Sequence, residues 1–140
     1  MIVIDAKDQI LGRIGVVAAK QALLGEEIVI LNADQAVISG AKEFTFAKYK
    51  RKKDMGVPKR EPYYPRMPDR LARRMIRGML PMDHSRGRAA YKRIMCYIGT
   101  PADFAGKHSI TVPGANASKL PTTKKATIAE ICHFMGARWN

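Results

Sequence analysis

Acidic side chains are scarce in this chain. Twelve Asp and Glu face twenty-five Lys and Arg, leaving a formal charge of +13 and a pI near 10.1. Cysteine is nearly absent, and Cys96 and Cys132 lie too far apart for a metal knuckle or a paired redox motif. With His84, His108 and His133 they could supply zinc donors, but without the close cysteine pairs of structural zinc, so buried reduced thiols are expected. No apolar run approaches the roughly 20 residues that span a bilayer. The most apolar region, Ile10 to Leu24, is interrupted by Arg13, Lys20 and Gln21. Met1 runs directly into Ile2-Val3-Ile4-Asp5 with no basic flank or cleavage site, and a cytosolic location is the expectation. No Gly-Lys-Ser/Thr motif occurs, which removes P-loop chemistry. Disorder is excluded by a hydrophobic content of 46%.

What remains is a chain of 140 residues, enough for one domain over residues 1–140 and too short for two. Its charge is concentrated. Between Lys48 and Arg93 stand sixteen cations (Lys48, Lys50, Arg51, Lys52, Lys53, Lys59, Arg60, Arg66, Arg70, Arg73, Arg74, Arg77, Arg86, Arg88, Lys92 and Arg93) and four acids (Asp54, Glu61, Asp69 and Asp83), a net of +12. One third of the sequence therefore carries nearly all the charge, the pattern of a surface for a polyanion.

The sharpest part lies between Pro68 and Pro81. As a helix over Asp69 to Met79, it places Arg70, Arg73, Arg74 and Arg77 on one stripe and Leu71, Ala72, Met75, Ile76 and Met79 on the other side. A solvated charged face normally mixes its signs. Four like charges at this spacing repel, so the pattern predicts four guanidinium groups directed together at an external anion.

Elsewhere the pattern is α/β. Ile2 to Asp5 reads as a strand, Leu11 to Leu24 as a helix closed by Gly25, and Glu27 to Leu31 as a second, buried parallel strand of a right-handed βαβ unit. Ala36-Val37-Ile38 is β-prone, and Ala41 to Lys53 continues as helix through the run Lys50-Arg51-Lys52-Lys53. Pro58, Pro62, Pro65 and Pro68 then recur too densely for helix or central strand, predicting a basic extended segment of about 54–68 inside the domain. Its Lys59, Arg60, Tyr63, Tyr64 and Arg66 mix cations with aromatic planes, which suits phosphate contact and base stacking as well as a mobile surface loop. Pro81 to Arg88 reads as a turn-rich link, Ala89 to Arg93 as a short helix and Ile94 to Ile98 as a strand. Thr100 to Ala126 is loop-like with Ile110-Thr111-Val112 its only β-like piece. Thr127 with Glu130 forms a capping box opening a last helix that ends at Gly136.

Two local patterns suggest catalysis or cofactor binding, and both are weak. Gly12-Arg13-Ile14-Gly15 lies six residues beyond Asp5, too far for the tight glycine turn of a dinucleotide site. Asp83, His84 and Ser85 are adjacent in sequence and cannot face one another as orienter, base and nucleophile. The competing readings are an RNA-processing or nucleotide-using α/β enzyme, resting on these residues, and a DNA-binding architectural protein, for which no helix-turn-helix or dimer pattern is present.

Three patches together resemble one family, large-subunit ribosomal protein L13. Ile76-Arg77-Gly78-Met79-Leu80-Pro81, then Gly87-Arg88, then Ile94-Met95-Cys96-Tyr97-Ile98-Gly99 resemble the family signature in order and spacing. Ile4-Asp5-Ala6 leading to Leu11-Gly12-Arg13, and the closing Thr127 to Trp139 stretch, extend the resemblance over most of the chain. Gly15 and Val16 stand where the family usually has Ala and Ser, and Cys96 where Val is common. The lack of the N-terminal extension of bacterial members and the C-terminal extension of eukaryotic ones resembles the archaeal form. The resemblance implies a three-layer αβα fold on a four-stranded, mainly parallel sheet and an early-assembling constituent of the large ribosomal subunit. Its partners would be large-subunit rRNA and neighbouring ribosomal proteins, with no membrane, small-molecule substrate, cofactor, metal or catalysis. Combined with the charge pattern, the expected RNA contacts are Lys50, Arg51, Lys52, Lys53, Lys59, Arg60, Arg66, Arg70, Arg73, Arg74, Arg77, Arg86, Arg88, Lys92 and Arg93, with Tyr63 and Tyr64 as stacking surfaces.

Overall fold

A βαβ unit opens the chain in the computed structural model, which describes residues 1–139, and consists of β1 (Ile2–Asp5), α1 (Leu11–Leu23) and β2 (Ile28–Leu31). β1 and β2 are parallel, with Ile2 opposite Ile28 and Asp5 opposite Leu31. All four β2 residues are buried, as the unbroken apolar run Ile28-Val29-Ile30-Leu31 requires. α1 stops because Gly25 takes a φ of +107°, letting its N–H reach the Ala22 carbonyl at 3.2 Å and the Glu26 N–H reach the Gln21 carbonyl at 3.1 Å. That pair of bonds is a Schellman closure, which a residue with a Cβ adopts only under strain.

The chain then makes β3 (Val37–Ser39), α2 (Lys42–Asp54), α3 (Pro68–Arg77) and α4 (Ser85–Lys92) before returning to the sheet as β4 (Ile94–Cys96). β4 runs parallel to β2 on the edge opposite β1, giving the order β1-β2-β4. Both crossovers advance in the same direction, so right-handed connection puts their helices on one face. There Ile4, Ile28, Ile30 and Ile94 of the sheet meet Leu11, Ile14 and Ala18 of α1, Leu71, Ala72 and Ile76 of α3, and Ala90 of α4.

The expected four-stranded sheet is not formed. Three strands pair regularly, and Ile110 adds one isolated parallel bridge to Ile4, its N–H and C=O bonding the Val3 carbonyl and the Asp5 N–H at 2.9 and 3.1 Å. Pro113, which has no N–H to donate, and Gly114 follow too closely for a longer ladder. The chain crosses back from β4 to this edge, and the same handedness carries it over the second face. Val3, Val29 and Leu31 are packed there by Tyr97 and by Phe104 from the short 3-10 turn Ala102–Phe104. A connecting segment thus stands where a second layer of α-helices is expected.

A separate two-stranded sheet pairs β3 with β5 (Lys125–Thr127), antiparallel, with Val37 opposite Thr127. α5 (Ile128–Phe134) follows directly, its start fixed by the capping box: Thr127 Oγ1 accepts from the Glu130 N–H at 3.2 Å, and the Glu130 carboxylate accepts from the Thr127 N–H at 3.0 Å. Ile128, Ile131, Cys132 and Met135 are buried, and Gly136 at φ +87° ends the helix. α4 begins earlier than the glycine-containing sequence predicts, because Gly87 serves packing instead of breaking the helix. A Cβ on Gly87 would lie 2.0 Å from the Pro81 carbonyl oxygen. No helix among the described residues is long and apolar enough to cross a membrane.

Candidate nucleic-acid interface

α3 follows much of its two-sided pattern, but it ends at Arg77, so Met79 lies beyond the helix and is 38% exposed, and Arg73 leaves the expected stripe. Pro68 occupies its first turn, where a missing N–H costs no helical bond. Leu71, Ala72 and Ile76 are fully buried, Arg70 and Arg74 are exposed, and Arg77 is half-buried. Arg73 differs: its guanidinium carbon sits 4.4 Å from the Tyr91 ring centroid, and Nη2 donates to the Tyr91 carbonyl at 3.2 Å. Its Nε is buried without a hydrogen-bond partner, as is Asp69 Oδ1 one turn earlier. The expected stripe of four outward guanidinium groups is therefore three, plus one arginine bracing α3 against α4. Position i+3 from Arg70 lies on the border of the apolar face, where α4 comes within reach.

α2 carries the lysine run. Lys50 and Arg51 are exposed, while Lys52 and Lys53 are half-buried. The Lys52 ammonium lies 5.5 Å from the Tyr49 ring centroid and 5.4 Å from that of Tyr64. Tyr49 and Tyr64 pack at 6.1 Å, and the Tyr49 hydroxyl donates to the Met75 sulfur at 3.5 Å. Burial pushes the Tyr49 phenol up to about 12, and also raises that of Tyr64, which Arg74 partly opposes. The two tyrosines of the proline-rich stretch thus separate: Tyr64 joins the packing under α2, whereas Tyr63 is 60% exposed. The Tyr63 hydroxyl donates to the Pro58 carbonyl at 3.3 Å, which tethers the far end of its ring.

Lys59 sits at the tip of a tight turn that Arg60 closes, where Val57 and Arg60 exchange backbone hydrogen bonds of 3.2 and 3.0 Å. Gly56 allows the chain to close beneath it, since a Cβ there would lie 2.3 Å from the Pro62 carbonyl oxygen. On α4, Arg86 and Arg88 are exposed, as is Lys92. Arg93 is tied inward, donating from Nη1 to the Ala22 carbonyl at 3.2 Å, a cation at the C-terminal end of α1. One further cation comes from outside the basic third. Arg138, just beyond α5, lines a hollow together with Arg66 and Arg70. Only the packing of α3 on α5 brings it there, so spacing gives no sign of it.

The two catalytic patterns dissolve into structure. Gly12 and Gly15 lie within α1, and Gly15 is buried beneath Met79, whose sulfur would be 2.8 Å from an added Cβ. Asp83, His84 and Ser85 are exposed where α4 begins, with His84 as its N-cap. Both cysteines are free and buried, and burial pushes each thiol up to about 12, far from the thiolate needed for nucleophilic or metal chemistry.

The electrostatics are decided by pairing. Among the described residues two ion pairs fall within 4.0 Å, the Met1 amino group with Glu26 and Lys42 with Glu130. Neither involves any of the sixteen cations between Lys48 and Arg93. A charge of that density, left unneutralised by the protein's own carboxylates, is a standing attraction for an external polyanion.

Fold and surface together define a small α/β domain that is dense in cations outside any ion pair and, among the described residues, holds no group of three or more possible metal-ligating side chains. The sequence profile of the family described as Ribosomal protein L13 matches residues 1–103. The chain is 43% identical over 137 residues to the large ribosomal subunit protein uL13 of Archaeoglobus fulgidus, covering 97% of this chain and 88% of that one. To the uL13 of Methanococcoides burtonii it is 40% identical over 139 residues, covering 99% and 100%. To that of Methanocaldococcus jannaschii it is 43% identical over 143 residues, again covering 99% and 100%. The chain belongs to the ribosomal protein L13 family.

Proposed function

We propose that the protein is a structural constituent of the large ribosomal subunit that binds large-subunit rRNA through its cationic face and joins early in subunit assembly. It acts in the cytoplasm, without catalysis or cofactor. The observation that carries this reading is the absence, among the described residues, of any carboxylate within ion-pair distance of the sixteen cations between Lys48 and Arg93. The names of the uL13 relatives and the family membership support the subunit assignment.

Within that face Lys50, Arg51, Lys59, Arg60, Arg66, Arg70, Arg74, Arg77, Arg86, Arg88 and Lys92 hold phosphates, and Tyr63 stacks on a base. Phosphate contacts fix register on the RNA, whereas base contacts read it. Lys52, Lys53, Tyr64, Arg73 and Arg93 are packed more deeply, and they position the surface as well as adding charge to it. Co-sedimentation tests the reading: the endogenous protein should travel with large subunits and stay there after a moderate salt wash, and pulse-labelled protein should enter the earliest assembly intermediates. Recovery only in the ribosome-free fraction would overturn it. Competition separates the DNA-binding alternative, since structured rRNA should displace the protein from duplex DNA and the reverse should not occur.

A further inference from the structure

Between the proline-rich segment and the chain beyond α5 lies a hollow of about 500 Å³. Its floor is apolar, from half-buried Met67 and buried Ala137, and Arg66, Arg70 and Arg138 stand around it. None of its lining residues is acidic. Tyr63 supplies an aromatic wall whose far end is tethered by the hydroxyl bond to Pro58. Gly136 leaves the corner open, since an added Cβ there would meet nothing within 4 Å.

Each feature narrows the occupant. Three guanidinium groups without a lining carboxylate favour an anion, and their planar forks suit the oxygens of a phosphate. A carboxylate would satisfy the charge but leave the apolar floor and the exposed Tyr63 ring without a partner. A planar heteroaromatic base satisfies both, because stacking on an exposed aromatic face needs no particular hydrogen-bond pattern. Base and phosphate joined are a nucleotide, and the hollow's size suits a compact ligand of that kind.

We infer that this hollow takes one nucleotide turned out of the rRNA fold, its base on Tyr63 above Met67 and Ala137 and its phosphate among Arg66, Arg70 and Arg138. The inference rests on the rRNA reading above and gives it a subsite for an unstacked residue. Single-stranded loops and bulges present such residues, and paired helices do not.

The test uses the full chain and a short, unstructured oligouridine carrying a single 4-thiouridine. Photocrosslinks should map to the peptides around Tyr63–Arg70 and Gly136–Arg138, and single-stranded oligouridine should compete where duplex RNA of equal charge does so less well. Tyr63→Leu and Arg138→Ala should each weaken oligouridine binding by about tenfold. Their melting points should change little, and their affinity for intact large-subunit rRNA, which is spread over many phosphates, should fall by a smaller factor than that for oligouridine. Crosslinks confined to other sites, such as the α2 surface around Phe44 and Met55, would overturn the subsite. So would variants that bind oligouridine as the wild type does. If the wild-type chain still binds large-subunit rRNA in either case, the rRNA reading stands without the subsite, whereas loss of that binding removes both.

Discussion

Arg73 and Arg74 are neighbours in sequence with the same side chain, and the structure places one against Tyr91 and the other in the open. Arg73→Ala removes a charged donor from the Tyr91 carbonyl, worth about 1.5 to 3 kcal/mol, and a guanidinium from the Tyr91 ring, worth about 0.5 to 2 kcal/mol. It also relieves the unpartnered, buried Nε, which returns about 1 to 3 kcal/mol. At the centres of these ranges the balance is a loss of about 1.5 kcal/mol, with roughly 3 °C of melting temperature per kcal/mol for a domain of this size. Arg74→Ala touches an exposed side chain and should stay within about 0.5 kcal/mol. RNA affinity should divide the other way, with Arg74→Ala lowering affinity and salt dependence while Arg73→Ala acts mainly through folding. Ile76→Ala, at a fully buried position on the opposite face, calibrates the scale with an expected loss of about 2 to 5 kcal/mol. The assay is thermal denaturation of the three variants with rRNA titration at two salt concentrations. If Arg74→Ala lowers the melting point as much as Arg73→Ala, or Arg73→Ala leaves it unchanged, the division of α3 into brace and binding face is refuted.

Gly87→Ala should destabilise the fold by about 1 to 3 kcal/mol or more, because a methyl group would press on the Pro81 backbone carbonyl and not on a movable side chain; chemical denaturation showing no loss would contradict that packing. Trypsin should cut the isolated protein at Lys59 or Arg60, in the proline-rich turn, and spare these bonds in the assembled subunit. Equal protection in both states would mean the turn owes nothing to RNA. The Glu130 carboxyl is held below its usual 4.5, first by the Lys42 ammonium bond of 2.7 Å. A depressed carboxyl contributes stability that is present above its unfolded pKa and lost as pH falls through the folded one, so wild-type stability should drop in that acid window. Glu130→Gln should flatten this part of the profile, and an identical acid limb in both proteins would count against the contact.

What the sequence discloses here is whatever depends on near neighbours. Gly25 follows an apolar helical run, and it closes α1 by local hydrogen bonds. Thr127 and Glu130 lie three apart, and they form the capping box. Leu71, Ala72 and Ile76 share one side of α3 whatever it packs against. Features set by distant contacts were not legible. Arg73 turns inward because Tyr91 arrives eighteen residues later, and no helical wheel contains that ring. β5 is Lys125-Ala126-Thr127, with no alternation to mark it, and exists because Val37 to Ser39 lies alongside. Gly87 reads as a turn until the Pro81 carbonyl is placed against it. The fourth strand failed for a related reason: Ile110-Thr111-Val112 has strand propensity, but Pro113 stops its ladder after one bridge. For the interface, the density of charge was evident in the sequence. Which cations are free, which brace the fold, and the arrival of Arg138 required three dimensions.

Whether the cations between Lys48 and Arg93 meet rRNA phosphates is read from the salt dependence of binding to large-subunit rRNA. If about six to ten of them displace counterions, the logarithm of affinity should fall linearly with the logarithm of salt concentration. The fall should be on the order of a thousandfold or more between about 50 and 200 mM, by analogy with duplex DNA. A nearly flat dependence would contradict the account, since it would mean that binding leaves these charges as it found them.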